Sequence, residues 1–354
     1  MEMISCELMT EMQRWVSILG AHPRRLRNFW LLVSCFCAAS IFTKLSYDNW
    51  TSTSTSNTSA QSPPFGPKAS QRTTQIVVAS QRGDDIAWLD AFPQWSKSIY
   101  VTDDPAAALA VPANKGREGM VYLTYIIENY DKLPTSVIFS HSKRYQWHND
   151  DPVYDGQAVL RRLNMSYVES VGYASLRCCW TLGCPVEIRP LREAEAGYPD
   201  SDPDSPKARA GSFFKAAFEQ MFPGQRVPEE VGAPCCAQFA VTADTIRQRP
   251  RADYERYRDW LLNTSLSDYL SGRIMEYSWH IIFGKQAVHC PNAGHCYCKL
   301  FGLCKLKCEE EGKCHAAYTL PKYSTLPTGW PDMDWNNQWR NVTALVSQFE
   351  RENT

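Results

Sequence analysis

The chain has 354 residues, with 37 Lys and Arg against 38 Asp and Glu, so its formal net charge is −1. This balance argues against a nucleic-acid-binding protein, which would carry a strong basic excess. The length allows one large domain or two small ones, and the 12 Trp residues allow a large core or a cleft suited to stacking.

The N-terminal part predicts membrane attachment rather than a folded domain. Residues 29–45 are an almost unbroken apolar run, short for a spanning helix but long enough for a thin bilayer. A basic block within residues 1–28 precedes the run, so this tail is predicted to stay in the cytosol. The rest would enter the lumen of the endoplasmic reticulum or Golgi, which makes the chain a single-pass type II membrane protein. A cleaved signal peptide, giving a secreted protein, and a buried helix of a soluble protein are the alternatives.

A stalk is predicted to follow the anchor. Residues 46–74 are rich in Ser, Thr and Pro and too poor in apolar residues to offset the entropy of folding. The sequons for N-glycosylation all lie after the apolar run, which agrees with a lumenal location. Their acceptors are Asn49, Asn57, Asn164, Asn263 and Asn341.

Residues 75–320 predict a lumenal α/β domain. Short β-branched runs and segments with helical spacing alternate as strand, helix, strand, helix, strand, at residues 75–80, 84–92, 98–101, 118–130 and 135–139. This order is typical of a three-layer fold with a parallel or mixed sheet that binds ligands at the carboxyl ends of its strands.

The remainder of the domain is predicted to be mainly helical. One further strand is predicted at 238–242, and helices are predicted at 156–170, 211–221, from Asp244, at 254–262 and at 272–282. Residues 194–207 are acidic and rich in Pro, which indicates a surface loop. Residues 321–354 are predicted to form a polar C-terminal tail.

Eleven cysteines follow the apolar run. In an oxidising lumen the last six, in the segment 289–315, predict a knot of up to three disulfides. They are Cys290, Cys296, Cys298, Cys304, Cys308 and Cys314. A zinc site that also uses His289, His295 and His315 is the alternative. The odd total leaves at least one thiol free or paired with another chain.

The turn before helix 118–130 is a candidate anion site. Its glycine allows close approach of the backbone, and the first-turn N–H groups and two cations favour a diphosphate. Its residues are Asn114, Lys115, Gly116, Arg117 and Glu118. Glu118 is also a candidate to bind a hydroxyl of a sugar or ribose. An ordinary helix start is the alternative.

The loop after the third strand is a candidate metal site. Asp150 and Asp151 could hold Mn²⁺ or Mg²⁺, which prefer oxygen ligands. His141 and His148 could add nitrogen ligands or transfer protons. Turn formation is the alternative for this acidic pair, and is favoured for the pair at 103–104.

Glu276 and His280 are candidates for acid–base chemistry. A spacing of four residues puts both on one face of the helix predicted at 272–282. Glu276 could act as the general base towards an acceptor hydroxyl, with His280 orienting it. A buried structural pair is the alternative.

Four segments, IVVASQRGDDIAWL, NKGREGMVYLTYIIENYDKLPTSVIFSHSKRYQWHND, CCAQFAV and GRIMEYSWHIIFG, resemble a fungal family defined as domain of unknown function number 3431. The resemblance covers residues 75–314. It implies a family rather than a chemical activity.

A remoter resemblance is to glycosyltransferases of the GT-A type. It is carried by the Asn-any-Gly-Arg-Glu turn before a helix, then a strand, a loop and a late helix with Glu276. It implies a three-layer, nucleotide-diphospho-sugar-transferase-like mixed sheet, here with a C-terminal disulfide-rich segment. Residues 77–80 would meet the nucleotide, and Asn114, Gly116 and Arg117 the diphosphate or donor sugar. The loop 141–151 would take the place of the metal-binding motif, although it has no Asp-any-Asp.

The sequence therefore favours a type II, membrane-anchored, glycosyltransferase-like protein that transfers a sugar from a nucleotide-sugar donor to an unknown acceptor. Lys115, Arg117, Arg144 or a metal would neutralise the donor diphosphate. Two alternatives stay open: a non-catalytic lumenal or cell-surface binding protein with a degenerate transferase fold, and a different metal-dependent enzyme that uses His141, His148 and Asp150.

Overall fold

The computed structural model of the protein describes residues 72–315 and 325–354. The predicted cytosolic tail and anchor, and nearly all of the predicted stalk, lie outside these residues. Within the described ranges, no helix combines the length and the apolar character needed to cross a membrane.

A five-stranded mixed sheet forms the centre of the domain. Its strands are β1 (Thr74–Ser80), β2 (Ser96–Val101), β3 (Ser136–His141), β4 (Tyr173–Ser175) and β5 (Phe239–Thr242). Their order is β2-β1-β3-β5-β4. β1 is parallel to both β2 and β3, whereas β5 is antiparallel to β3 and β4.

The order of these strands fixes where a ligand is expected. The chain moves from β1 to β2 on one side and then crosses to β3 on the other side of β1. Open α/β sheets bind ligands at such a reversal, in the crevice beyond the carboxyl ends of the two diverging strands. In this protein that crevice lies beyond Ser80 and His141.

Helices cover both faces of the sheet. They are α1 (Glu118–Asn129), α2 (Gly156–Arg162), α3 (Met165–Val171), α4 (Pro190–Glu193), α5 (Gly211–Met221), α6 (Ala243–Arg247), α7 (Arg251–Asn263), α8 (Asp268–Glu276), α9 (Trp279–Ile282), α10 (Ala293–Phe301) and α11 (Val342–Asn353). Short 3₁₀ helices occur at Ala87–Ala91 and Tyr130–Lys132.

The core divides into two layers because successive side chains of a strand point to opposite faces. Val77 belongs to the cluster that includes α1, α5, α7 and α8. Its neighbours Ile76 and Val78 belong to the cluster with α2, α3 and α10. The predicted α/β architecture with helices on both sides of a mixed sheet is therefore confirmed at this level.

Several predicted helices have different bounds. The helix predicted at 156–170 is two helices, because Asn164 caps α3 by accepting a hydrogen bond from the backbone N–H of Tyr167 at 3.2 Å. The helix predicted at 272–282 is also two, since α8 ends at Glu276 and α9 begins at Trp279. Strand β4 and helices α10 and α11 were not predicted, so the expected polar tail contains a helix.

Among the described residues there are five disulfides: Cys178–Cys296, Cys184–Cys290, Cys235–Cys236, Cys298–Cys304 and Cys308–Cys314. The prediction of a self-contained knot is wrong for Cys290 and Cys296, which bond the loop after β4. Since every cysteine of the 289–315 segment is in a disulfide, none supplies the thiolate that a zinc site needs. Cys179 is free and buried, as the odd cysteine count requires.

Candidate functional site

Two titratable side chains meet at the reversal in strand order. Glu118 begins α1, which runs antiparallel to the strands it connects, so its first turn lies near their carboxyl ends. His141 is the last residue of β3. The carboxyl Oε2 of Glu118 lies 3.9 Å from Nε2 of His141, and the two side chains are 16% and 15% exposed.

Burial shifts both of these groups towards their neutral forms. It raises the pKa of Glu118 to about 8, and the negative charge of Glu276 adds to this rise. Burial lowers the pKa of His141 to about 4, and the positive charges of Arg117 and Arg177 lower it further. The buried Nε2 of His141 has no hydrogen-bond partner. A buried polar atom without a partner is unusual and is typical of a site that binds something.

His148 lies against this pair. Its ring centroid is 4.9 Å from that of His141, in an edge-to-face arrangement. Its Nδ1 is 3.3 Å from Oε1 of Gln146. Burial, then the neighbouring His141 and three arginines, lower the pKa of His148 to about 2. Two neutral imidazoles therefore line the edge of the site at physiological pH.

Glu276 is held by two donors on the other side of the site. Its Oε1 accepts a hydrogen bond from the backbone N–H of Cys236 at 2.5 Å, and its Oε2 accepts one from Nη1 of Arg273 at 2.9 Å. Cys236 and Ala237 adopt φ angles of 92° and 47°, in the left-handed region. Strained backbone of this kind clusters at functional sites.

The disulfide between the adjacent residues Cys235 and Cys236 is part of the same site. Nη1 of the buried Arg177 lies 2.5 Å and 2.8 Å from their two sulfurs, and Nη2 donates to the carbonyl of Trp147 at 2.8 Å. The guanidinium of Arg177 thus connects the strained turn to the loop that carries His148. Sequence reasoning missed this part of the site, although the Cys-Cys dipeptide was visible.

His280 is separated from Glu276. The break between α8 and α9 removes the common helix face on which the predicted pair depends. Nε2 of His280 is 2.9 Å from the carbonyl oxygen of Ala287, and burial lowers the pKa of the imidazole to about 4. His280 therefore contacts a backbone carbonyl in the structure, and its predicted catalytic role stays a prediction.

Asp150 and Asp151 have their carboxylate oxygens engaged by protein donors. Asp150 accepts hydrogen bonds from the hydroxyl of Tyr297 at 2.7 Å and from two backbone N–H groups. Asp151 accepts from Nη1 of Arg162 at 2.9 Å and from two further backbone N–H groups. Both are buried, and burial raises their pKa values. These contacts make the acidic pair an organiser of its loop and do not fit a site for Mn²⁺ or Mg²⁺.

The predicted diphosphate ligands are also mostly engaged. Lys115 donates from Nζ to the carbonyl of Thr264. Arg144 forms two hydrogen bonds with the carboxylate of Asp155, at 2.9 Å and 2.8 Å. Asn114 is exposed. Lys115 and Arg144, which the sequence suggested as ligands of a diphosphate, therefore have protein partners in the structure.

Arg117 is the accessible cation of the turn. Its side chain is 50% exposed, with Nε 4.0 Å from Oδ2 of Asp268, and its guanidinium carbon lies 5.4 Å from the ring centroid of Tyr269. The turn itself is tight, because Gly116 and Arg117 have φ angles of 70° and 51°. A Cβ on Gly116 would clash with the side chain of Leu261, and the positive φ there favours glycine.

Within residues 72–315 and 325–354, one group of three metal-capable side chains is compact enough to share an ion: Cys235, Cys236 and Glu276, whose ligand atoms lie within 4.8 Å of one another. The two sulfurs are bonded to each other, so this group does not offer thiolates. It is also unlike the oxygen shell that Mn²⁺ and Mg²⁺ prefer.

Comparison with known proteins gives one match. The family described as "Protein of unknown function (DUF3431)" matches residues 76–299, which include every residue of the site described above. No curated protein and no solved structure matches the chain.

Proposed function

The chain belongs to the DUF3431 family, and from its site we propose that it transfers a sugar from a nucleotide-sugar donor to an acceptor hydroxyl. The proposal places the enzyme in the lumen of the secretory pathway, anchored through residues 29–45. The fold alone does not support this activity, because one fold serves many activities.

The observation that carries the proposal is the contact between Glu118 and His141 at the reversal in strand order. Sugar transfer needs a group that accepts the hydroxyl proton of the acceptor while the new glycosidic bond forms. A carboxyl whose pKa lies near the working pH suits this task. The bond from the donor sugar to its phosphate breaks in the same step, and its electron pair leaves with the diphosphate.

In this proposal Glu118, in its ionised form, is the base. Glu276 is the less suitable candidate because Arg273 and the Cys236 N–H already occupy its two oxygens. Its role would be to position Arg273 and the strained turn. The neutral imidazole of His141, with its unpartnered Nε2, would orient Glu118 or the acceptor hydroxyl.

Positive charge around the pair supports an anionic donor. Arg117, Arg177 and Arg273 all lower the pKa of His148, which means that their field reaches the centre of the site. Arg177 and Arg273 already have protein partners, so the half-exposed Arg117 is the candidate for direct contact with the diphosphate. No step is assigned to a divalent cation.

One observation favours a non-catalytic binding protein instead. Lys115 and Arg144, which a diphosphate site would use, are directed to Thr264 and Asp155. A degenerate site that has lost donor binding would look the same. The metal-dependent alternative has less support, because its Asp150 is fully hydrogen-bonded.

The decisive experiment is donor binding by the purified full-length protein. UDP- and GDP-sugars should raise the melting temperature, with or without Mn²⁺, and mass spectrometry should detect transfer to an added mixture of glycan acceptors. Binding without transfer would favour the non-catalytic alternative. A protein that binds no nucleotide sugar would refute the proposal, and a response to Mn²⁺ alone would favour the metal-dependent enzyme.

A further inference from the structure

A polar cleft of about 180 Å³ opens beside Arg273. This is smaller than the sites that enclose drug-sized ligands, so an occupant would place about one small ring in it. It lies between the start of α5, the middle of α8 and the segment before α4. The residues used below are Glu187, Glu193, Arg209, Tyr269, Arg273 and Tyr277.

The charges that line the cleft are balanced. Glu187 and Glu193 oppose Arg209 and Arg273, and Oε1 of Glu187 lies 3.2 Å from Nη2 of Arg273. A cleft with equal numbers of carboxylate and guanidinium groups has no preference for an anion or a cation. It does offer hydrogen-bond acceptors and donors side by side, which match the hydroxyl groups of a polyol.

An aromatic ring is available at the same place. Tyr269 is 52% exposed, which is unusual for so large a side chain in this otherwise well-buried domain. The face of an aromatic ring is electron-rich and attracts the weakly positive C–H groups of a sugar ring. Arg117 already lies over this ring and links it to the Glu118 turn.

The floor of the cleft is fixed. Glu193 accepts a hydrogen bond from the backbone N–H of Arg189 at 2.6 Å, and a Cβ on Gly211 would clash with its carboxylate. The buried ring of Tyr277 forms another part of the wall. The cleft therefore has a rigid wall, as in preorganised binding sites.

Arg273 connects the cleft to Glu276. It lines the cleft, where its Nη2 donates to Glu187, and its Nη1 donates to Glu276. We propose that the cleft binds a neutral carbohydrate, stacked on Tyr269 and hydrogen-bonded to Glu187, Glu193, Arg209 and Arg273. That this carbohydrate is the acceptor rests on the proposed function; the binding itself does not.

The test measures carbohydrate binding in the absence of any nucleotide. Methyl glycosides of mannobiose, cellobiose and lactose, with methyl glucuronide as an anionic probe, are titrated into the full-length protein and followed by saturation-transfer NMR and calorimetry. At least one neutral disaccharide is expected to bind. Tyr269→Ala should weaken it about tenfold, which corresponds to about 1.4 kcal/mol, whereas Tyr269→Phe should bind like the wild type.

Trp339→Ala is the matched control. Trp339 is 73% exposed on the C-terminal segment, so this variant also removes an exposed aromatic ring, but not one that lines the cleft. Equal loss in Trp339→Ala and Tyr269→Ala would overturn the proposal, as would wild-type binding by Tyr269→Ala, binding of the glucuronide alone, or no binding of any neutral disaccharide. Carbohydrate binding that depends on Tyr269 in a protein that binds no nucleotide sugar would support the cleft and refute sugar transfer.

Discussion

The carboxyl of Glu118 faces the imidazole of His141 across 3.9 Å, at the point where the sheet reverses its strand order. Near pH 7 both side chains are mostly neutral, because burial raises the pKa of Glu118 and lowers that of His141. A carboxyl whose pKa lies near the working pH, beside a neutral imidazole, is suited to proton transfer.

Replacing Glu118 by Gln should abolish transfer while donor binding is kept. The amide has a similar shape but takes up no proton, so the rate is expected to fall by about 100-fold or more. Transfer is measured by product formation, and donor affinity by calorimetry. The control is Glu255→Gln, at a surface residue that is paired with Arg251. A Glu118→Gln enzyme with the wild-type rate would return the role of base to Glu276.

The transfer rate should increase with pH between about 6 and 8. Glu118 must be ionised to accept a proton, and its pKa of about 8 means that the ionised fraction grows throughout this interval. The measurement is kcat/KM against pH. If the rate were flat or decreased over this interval, Glu118 would act as an acid or would not act in the step at all.

Acid should destabilise the fold between pH 6.5 and 4. Desolvation lowers the pKa values of four histidines in the folded protein: His141, His148, His280 and His289. A lowered pKa gives stability that is present above 6.5 and is lost as pH falls towards the folded value, at about 1.4 kcal/mol per pH unit and group at most. Urea unfolding at several pH values measures this slope.

Glu118 acts in the opposite direction. Its pKa is raised, so its contribution is present below about 4.5 and is lost as pH rises to about 8. Glu118→Gln should therefore make the increase of stability with pH steeper. His295→Gln, a change at an exposed position on α10, is the control and should leave the slope unchanged. A shallower slope in Glu118→Gln would contradict the pKa assigned to Glu118.

Asp150→Asn should lower stability rather than remove metal binding. The amide keeps only one acceptor oxygen, so either the two backbone N–H groups or the hydroxyl of Tyr297 must face its NH₂ group, at a cost of about 1–3 kcal/mol. Asp103→Asn, at an exposed member of the other acidic pair, should cost far less. A thermal shift with Mn²⁺ that is lost only in Asp150→Asn would reinstate the metal site.

Gly116→Ala should destabilise the turn before α1 more than a matched change elsewhere. Both Gly116 and Gly197 have positive φ, at 70° and 83°, but a Cβ on Gly197 would meet nothing within 4 Å. The difference between the two variants isolates the clash with Leu261, expected at about 1–3 kcal/mol in urea unfolding. Equal costs would mean that Leu261 moves aside and that backbone strain alone matters.

Several of the longer strands and helices of the fold were predictable from the sequence, whereas the short strand β4 was not. Strands β1 and β3 each contain a buried apolar run, and α1 keeps helical spacing over 12 residues, so these patterns are long enough to recognise in the sequence. Strand β4 has three residues and forms because β5 lies beside it, a relation that sequence spacing does not contain.

The same limit applies to the site. Glu118 was recognised because it starts a helix after a glycine turn, which is a local pattern. The predicted pair of Glu276 and His280 required an unbroken helix, but α8 ends at Glu276 and α9 begins at Trp279, so the two residues do not share a helix face. Arg177 and Arg273 were missed, since their contacts with Cys236 and Glu187 join residues distant in sequence that only tertiary packing brings together.

Two of the disulfides span most of the second half of the domain. Cys178–Cys296 and Cys184–Cys290 enclose the acidic segment 194–207 within loops of 118 and 106 residues. A protease that cuts this segment would therefore leave two fragments joined by covalent bonds. The nicked protein should migrate as one species without reductant, and should keep Glu118 and Glu276 in a single molecule although the peptide chain between them is no longer continuous.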